Sequence, residues 1–111
     1  MNSWDAIFLK GRFTSEYPQA EVAKFVSFAE KRFEGEQLKC WDHCCGAGRH
    51  TLMLASRGHK VFASDASRVA LDILENRLKE KGLNAEVKIA DMCECPWNEE
   101  FHIVISWDAI H

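Results

Sequence analysis

The sequence predicts an α/β fold in which helices flank a parallel sheet. Segments with a helical period alternate with short apolar runs along most of the 111 residues, and strands separated by helices pair in parallel through right-handed crossovers. A glycine-rich turn also joins the first apolar run to a helix. The apolar fraction of 47% is that of a globular chain.

The N-terminal third is predicted to be helical. A short helix covers residues 4–10, and a longer one follows Pro18 and ends at Gly35. The longer helix carries one apolar stripe with helical spacing, formed by Val22, Phe25, Val26, Ala29 and Phe33. We expect this stripe to face the sheet, so that residues 1–36 form a helical segment preceding the first strand.

Four strands and two further helices follow in alternation. The strands are expected at residues 38–44, 60–64, 85–90 and 101–107, and the helices at 51–57 and 68–81. The third strand alternates Val87 and Ile89 with polar residues, which predicts a half-buried strand. The fourth strand has the strongest β propensity.

The last predicted helix has clear boundaries. Ser67 can cap its N-terminus and Gly82 can end it. The positions expected to face inward are Ala70, Leu71, Ile73, Leu74 and Leu78.

Charge and composition exclude several classes of partner. The net charge of −3 and the scattered Lys and Arg residues argue against a nucleic-acid partner, which would normally require a basic stripe. No apolar run reaches the roughly 18 residues that span a bilayer, so we expect no membrane association. The N-terminus lacks a secretory pattern, and the odd count of five cysteines suits a reducing compartment. We therefore expect a cytoplasmic protein.

The cysteines do not form a metal-binding pattern. Cys44-Cys45 and Cys93-x-Cys95 lack the paired spacing of zinc sites. Cys40 and Cys44 fall on an apolar strand, where cysteine behaves as a small hydrophobic residue. We expect no metal ion.

The segment from Asp42 to His50 carries most of the functional information. It reads Asp-His-Cys-Cys-Gly-Ala-Gly-Arg-His and lies between a strand and a helix, where glycine lets backbone N–H groups approach a ligand closely. Asp65 and Asp91 follow the next two predicted strands. Ligands of open parallel sheets bind beyond the carboxyl ends of the strands, so these three positions should meet at one edge. This convergence indicates a bound nucleoside.

Two common nucleotide-binding patterns are absent. A dinucleotide site requires Gly-x-Gly-x-x-Gly, and Thr51 stands where the third glycine should be, which disfavours an NAD-dependent oxidoreductase. The chain also lacks the Gly-Lys-Ser/Thr sequence of a phosphate-binding P-loop.

The glycine segment instead resembles the first motif of class I S-adenosylmethionine-dependent methyltransferases. That motif reads Asp/Glu-x-Gly-x-Gly-x-Gly, and Cys44 replaces its first glycine. The resemblance continues through residues 57–61, 64–67, 90–92 and 103–111, and looks like the small cytosolic branch of the family. It implies a Rossmann-like sheet of about four strands in the order 3-2-1-4, with residues 37–111 as the N-terminal half of the cofactor-binding domain.

The resemblance implies a set of residues around S-adenosylmethionine. They are Asp42, Cys44, Gly46, Ala47, Gly48, Asp65, Ala66, Asp91, Met92, Ser106 and Trp107. The glycine turn would lie against the methionine part of the cofactor, and Asp42 would orient that turn.

The resemblance also implies contacts with the ribose, the adenine and the sulfonium of the cofactor. Asp65 would accept hydrogen bonds from the ribose hydroxyls, with Ala66 near the adenine. Asp91 and the Met92 backbone N–H would bind the adenine edge. Ser106 and Trp107 would flank the sulfonium, although Trp107 could equally be a core residue at a strand end.

The methyl acceptor is expected to be a small molecule. Residues 106–109 read Ser-Trp-Asp-Ala, unlike the Asn/Asp-Pro-Pro-Tyr that DNA amino-methyltransferases use. The sequence does not identify a catalytic base. His50 and His111 lie nearest to the predicted site, and a packing or surface role is the alternative for both.

Four aromatic residues, Trp4, Phe8, Phe13 and Tyr17, precede the first strand. In methyltransferases of this kind such a segment often covers the cofactor as a lid, which would exclude water from the sulfonium. The alternative is that these rings only anchor a helix on the sheet.

The chain ends soon after the fourth predicted strand, whereas the family usually has seven strands. We therefore expect the chain to be a fragment. By itself it should bind the cofactor weakly and catalyse little or no methyl transfer. A non-catalytic cofactor-binding module or scaffold that acts with a partner chain is the alternative. Strand 101–107 would form an exposed apolar edge, so we expect a homodimer or larger assembly through it.

Overall fold

The computed structural model describes residues 16–107, which form three helices and four strands. In chain order they are α1 (Ala20–Arg32), β1 (Lys39–His43), α2 (Arg49–Ser56), β2 (Lys60–Asp65), α3 (Arg68–Lys81), β3 (Glu86–Ile89) and β4 (Ile103–Ile105). The helix predicted at residues 4–10 lies outside the described residues. The alternation of helices and strands predicted from the sequence is confirmed.

The four strands form one parallel sheet in the order β3-β2-β1-β4. The predicted Rossmann-like order 3-2-1-4 is therefore confirmed. Asp42 of β1 pairs in register with Ala63 of β2 and Ile105 of β4, and Asp65 of β2 pairs with Ile89 of β3. Because all four strands run the same way, their carboxyl ends meet at one edge of the sheet.

One face of the sheet packs against the helices. Beneath α1 and α2, Val26, Cys40 and Leu54 are fully buried in one apolar cluster. Beneath α3, Leu71 and Leu74 are fully buried in a second cluster. These clusters hold α2 and α3 against the strands, which fixes the start of each helix beside the carboxyl edge.

The other face of the sheet carries an aromatic cluster made by Trp41, Phe62, Trp97 and Phe101. The Phe62 ring lies 5.4 Å from that of Trp97 and 5.2 Å from that of Phe101, centroid to centroid. Trp41 contacts Trp97 and Phe101 at 6.2 and 5.8 Å. The segment between β3 and β4 contributes Trp97 and Phe101, so this connection covers the second face without a helix.

Three details of the sequence prediction are corrected. Phe25 is 48% exposed because it stands at the border of the α1 stripe, whose buried members are Val22, Val26 and Ala29. Ile89 is 53% exposed because it is the last residue of an edge strand with a neighbour on one side only.

The remaining correction concerns element boundaries. The fourth strand is only three residues long, Ile103–Ile105, so Ser106 and Trp107 follow the strand. β1 ends at His43, so Cys44 belongs to the turn and is only half-buried. Helix α2 begins at Arg49, two residues before the predicted start.

Helix α1 is attached to the body of the domain at both ends. Near its C-terminus the Glu30 carboxylate binds Arg57 at 3.0 Å and His59 at 2.7 Å. Burial alone would raise the pKa of Glu30, but these two partners outweigh it and lower the pKa. At the other end the backbone N–H of Gln19 donates to His50 Nε2 at 3.2 Å.

Gly48 allows α2 and α3 to approach closely. It has a φ of +89°, and a Cβ built on it would lie 2.2 Å from Leu74 Cδ1. We expect Gly48→Ala to destabilise the fold by about 2–5 kcal/mol, since an unfavourable left-handed φ adds to overpacking against a buried leucine.

A matched control separates these two causes. Gly58 has a similar φ of +85° but no atom within 4 Å of a built Cβ, so Gly58→Ala should cost only about 1–2 kcal/mol. Denaturant unfolding of the two variants measures the difference. An equal loss in both would contradict the packing role of Gly48.

Candidate functional site

The glycine turn between β1 and α2 is tightly wound. Cys44, Gly46 and Gly48 have φ values of +55°, +58° and +89°. The Cys45 N–H donates to the Ser64 carbonyl at 2.9 Å, and the Gly48 N–H donates to the Cys45 carbonyl at 3.1 Å. Cys44 thus adopts the left-handed conformation that glycine would take at this motif position. For a residue with a Cβ this costs roughly 1–2 kcal/mol, which the surrounding bonds offset.

Asp42 joins the end of β1 to helix α2. It is 2% exposed, and its Oδ2 accepts a hydrogen bond from Thr51 Oγ1 at 2.7 Å. Thr51 is the residue that breaks the dinucleotide pattern, and here its hydroxyl satisfies a buried carboxylate. Asp42, which is expected to orient the turn, therefore has a hydrogen-bond partner, Thr51, that was not predicted from the sequence.

Asp65 connects the glycine turn to the start of helix α3. The carboxylate is at the end of β2 and 9% exposed. Its Oδ2 accepts from the Gly46 N–H at 2.8 Å, and its Oδ1 accepts from the Ser67 N–H at 2.9 Å. Two site residues 19 positions apart are thus bonded to each other, as the predicted convergence requires.

Asp91 organises the turn after β3. Its Oδ1 accepts from the Cys93 N–H at 2.8 Å, and its own N–H donates to Glu94 Oε1 at 3.1 Å. The preceding Ala90 N–H donates to the Asp65 carbonyl at 3.0 Å, which places this turn beside the end of β2. Met92 is 49% exposed in the same turn. The third predicted position therefore lies at the same edge of the sheet.

His43 joins the Met92 turn to the end of β4. Its Nδ1 lies 2.7 Å from Ser106 Oγ, and its Nε2 lies 2.7 Å from the Met92 carbonyl oxygen. The sequence analysis did not single out His43. The position of His43 follows from the sheet register. Asp42 pairs with Ile105, so His43 and Ser106, the residues that follow them, are neighbours.

Trp107 is 44% exposed, which excludes the alternative that it is a core residue. Its ring stands edge-on to His50 at 6.5 Å. His50 itself is 1% exposed, and its Nε2 accepts the Gln19 N–H. His50 therefore has the packing role that the sequence left open, and His111 lies outside the described residues.

The two buried carboxylates affect the neighbouring thiols. Burial, followed by the negative charges of Asp65 and Asp42, raises the pKa of Cys44 to about 11. Burial also raises the pKa of Cys45, with Asp42 and Asp65 adding to the effect. Both thiols are therefore protonated at neutral pH. Within residues 16–107, no group of three or more His, Cys, Asp or Glu side chains is arranged to hold a metal ion.

The polar side chains at the edge suit a nucleoside without phosphates. It combines the carboxylates of Asp65 and Asp91 with the Ser106 hydroxyl. The nearby guanidinium of Arg77 binds protein groups: it donates to the Ala47 carbonyl at 3.2 Å and pairs with Glu16 at 3.3 Å. Carboxylates bind ribose hydroxyls and the adenine amine well, whereas a phosphate would be repelled.

None of the helices in the described part of the chain is long and apolar enough to cross a membrane.

Solved structures share this fold. One, from work on the conversion of a disulfide bond into a thioacetal group during echinomycin biosynthesis, is 28% identical with a TM-score of 0.64, over 81% of this chain and 35% of that chain. The T. thermophilus 16S rRNA N2 G1207 methyltransferase (RsmC), in complex with AdoMet and guanosine, is 22% identical with a TM-score of 0.71. That match covers 89% of this chain and 28% of that chain.

A third structure is an S-adenosylmethionine-dependent methyltransferase from Clostridium acetobutylicum. It is 19% identical with a TM-score of 0.65, over 91% of this chain and 39% of that chain. The chain thus spans 28–39% of the length of these three structures.

The family model of the methyltransferase domain matches residues 41–111. The match begins within β1, takes in the glycine turn and continues through β4. It covers well over half of the chain and contains the site residues from Asp42 to Trp107. The chain therefore belongs to the methyltransferase-domain family, as the resemblance of its glycine segment predicts.

Proposed function

We propose that the protein binds S-adenosylmethionine at the carboxyl edge of its sheet and transfers the methyl group to a small molecule. The observation that carries this proposal is the bond from the Gly46 N–H to the Asp65 carboxylate. It brings the glycine turn and the predicted ribose-binding acid into one site. The family match and the AdoMet complex of the T. thermophilus relative support the choice of cofactor.

The proposed binding mode follows the order of the strands. Asp65, at the end of β2, receives the ribose hydroxyls, and Ala66 packs near the adenine. Asp91 and the Met92 backbone, after β3, receive the adenine edge. The glycine turn lies against the methionine part. Ser106 and Trp107, after β4, flank the sulfonium.

The cofactor supplies an activated methyl group, so the protein's contribution is orientation and exclusion of water. The described residues provide orientation, because buried bonds from Asp42 to Thr51 and from Asp65 to Gly46 fix the turn. The lid role of the N-terminal aromatic residues is part of the same proposal. Of these, Tyr17 is described and is 82% exposed.

We propose that a small-molecule acceptor occupies a pocket beside the proposed methyl position. The pocket has a volume of about 240 Å³ and lies between helix α1 and the end of β4. It is lined by Glu21, Val22, Phe25, Ile105, Ser106 and Trp107. Its size suits a compact molecule, and the net charge of −3 does not favour a nucleic acid.

The second candidate function is a cofactor-binding module that acts with a partner chain. The observation that favours it is coverage, because the chain spans only 28–39% of the structures it matches. A partner chain would complete the acceptor side of the site. We also propose self-association through β4, and a reducing, cytoplasmic compartment in which the five free cysteines persist.

Asp65→Ala should weaken binding of S-adenosylmethionine about 10- to 100-fold. Hydrogen bonds to a charged group contribute about 1.5–3 kcal/mol, which corresponds to that range. Isothermal titration calorimetry measures it, with Asp72→Ala as the control because Asp72 is exposed on α3. Unchanged affinity in Asp65→Ala would remove Asp65 from the site.

The 111-residue chain should bind the cofactor but transfer methyl groups at a barely detectable rate. The reason is that the described acceptor side consists only of α1 and the end of β4. Formation of S-adenosylhomocysteine, measured by mass spectrometry with thiol, amine and phenol acceptors, tests this. Robust turnover would contradict this proposal.

The chain should form a dimer or larger assembly through β4. This strand is at the sheet edge, and Val104 on it is 51% exposed, so a lysine there should disfavour strand pairing. Light scattering should show dissociation of the assembly in Val104→Lys but not in Ile89→Lys. The second variant is the control, because Ile89 is 53% exposed and lies on the opposite edge strand. A monomeric wild-type chain at high concentration would refute the assembly.

A further inference from the structure

Both ring nitrogens of His43 are engaged at short distance. Nδ1 lies 2.7 Å from Ser106 Oγ, and Nε2 lies 2.7 Å from the Met92 carbonyl oxygen. Cys44 Sγ is a more distant neighbour of Nε2 at 3.6 Å. The Trp41 ring stands edge-on to the imidazole at 5.1 Å, which restricts its rotation. His43 therefore has one well-defined orientation.

The partners determine which nitrogen of a neutral ring carries the hydrogen. A carbonyl oxygen can only accept, so Nε2 must donate to Met92. Nδ1 of the neutral imidazole is then an acceptor, and the Ser106 hydroxyl must donate to it. The hydrogen of Ser106 thus points towards the ring, and the oxygen lone pairs point away from it.

This bridge connects three segments that are distant in sequence. His43 ends β1, Met92 belongs to the turn after β3, and Ser106 follows β4; the two bonds span 49 and 63 positions. Under the proposed function, the Met92 turn receives the adenine and Ser106 flanks the sulfonium. One side chain therefore fixes two contact points on the cofactor, one at the adenine and one at the sulfonium.

We propose that His43 is a positioning residue for the cofactor, holding the Met92 turn and orienting the Ser106 oxygen towards the cationic sulfonium. This inference rests on the proposed function and deepens it. An oxygen whose hydrogen is committed to His43 presents only lone pairs, which attract a positive sulfonium more than a neutral thioether. The bridge thereby favours the methylated cofactor over its demethylated product.

The test compares two ligands in three variants of the full chain. His43→Leu removes both bonds, and His43→Gln retains a donor for Met92 and an acceptor for Ser106. Ser106→Ala removes only the oriented oxygen. Calorimetric titration with S-adenosylmethionine and S-adenosylhomocysteine gives the ratio of the two affinities in each protein.

We expect His43→Leu to weaken S-adenosylmethionine binding about 10-fold. The ratio of its affinity for S-adenosylmethionine to its affinity for S-adenosylhomocysteine should fall about 3-fold or more. Each lost hydrogen bond accounts for about 0.5–1.5 kcal/mol, or roughly 2- to 13-fold. His43→Gln should bind both ligands within about 2-fold of wild type. Ser106→Ala should reduce this preference, because it weakens binding of S-adenosylmethionine more than binding of S-adenosylhomocysteine. Loss of a merely structural residue would not alter the ratio of the two affinities.

The histidine tautomer provides a readout that does not require a ligand. Nitrogen-15 spectra of the wild-type chain should show the neutral His43 ring protonated at Nε2; protonation at Nδ1 would overturn the bridge. Equal affinity ratios in wild type and His43→Leu would overturn this inference and leave the proposed function intact. Failure of the wild type to bind either ligand would instead refute the proposed function. If His43→Leu does not fold, Ser106→Ala and His43→Gln decide the outcome.

Discussion

The bond between the Asp65 carboxylate and the Gly46 N–H is the interaction on which the rest of the site depends. It is buried, and it joins the turn after β1 to the end of β2. The same carboxylate accepts from Ser67 at the start of α3. A buried carboxylate without partners would be costly, so these donors and this acid require one another. The turn, the strand end and the helix start therefore form a single unit.

The neighbouring interactions extend this unit along the carboxyl edge of the sheet. Asp42 and Thr51 hold α2 against β1, and Gly48 lets α2 approach Leu74 of α3. His43 then links β1 to Ser106 beyond β4. The ends of β1 and β2 and of β1 and β4 are thus joined through polar side chains, and the ends of β2 and β3 through the backbone bond from Ala90 to Asp65. Because the helices bury one face of the sheet and an aromatic cluster covers the other, we propose that the cofactor binds at the polar edge.

The features that could be predicted from the sequence are those that depend on a local pattern or on general rules of topology. The glycine turn, Asp65 and the helix ended by Gly82 follow from short motifs, the parallel sheet follows from the alternation of strands and helices, and the strand order follows from the family resemblance. The missed features are non-local. The His43 bridge depends on the register of β1 against β4 and on the path of the Met92 turn. The exposure of Phe25 depends on how α1 is rotated against the sheet, which a helical stripe defines only approximately.

The central claim is that this edge binds an adenosyl sulfonium and not a dinucleotide. Calorimetric titration of the wild-type 111-residue chain with S-adenosylmethionine, and separately with NAD, tests it most directly. We expect saturable binding of S-adenosylmethionine and no binding of NAD, because Thr51 stands where a dinucleotide site requires its third glycine. Binding of NAD in preference to S-adenosylmethionine would contradict it.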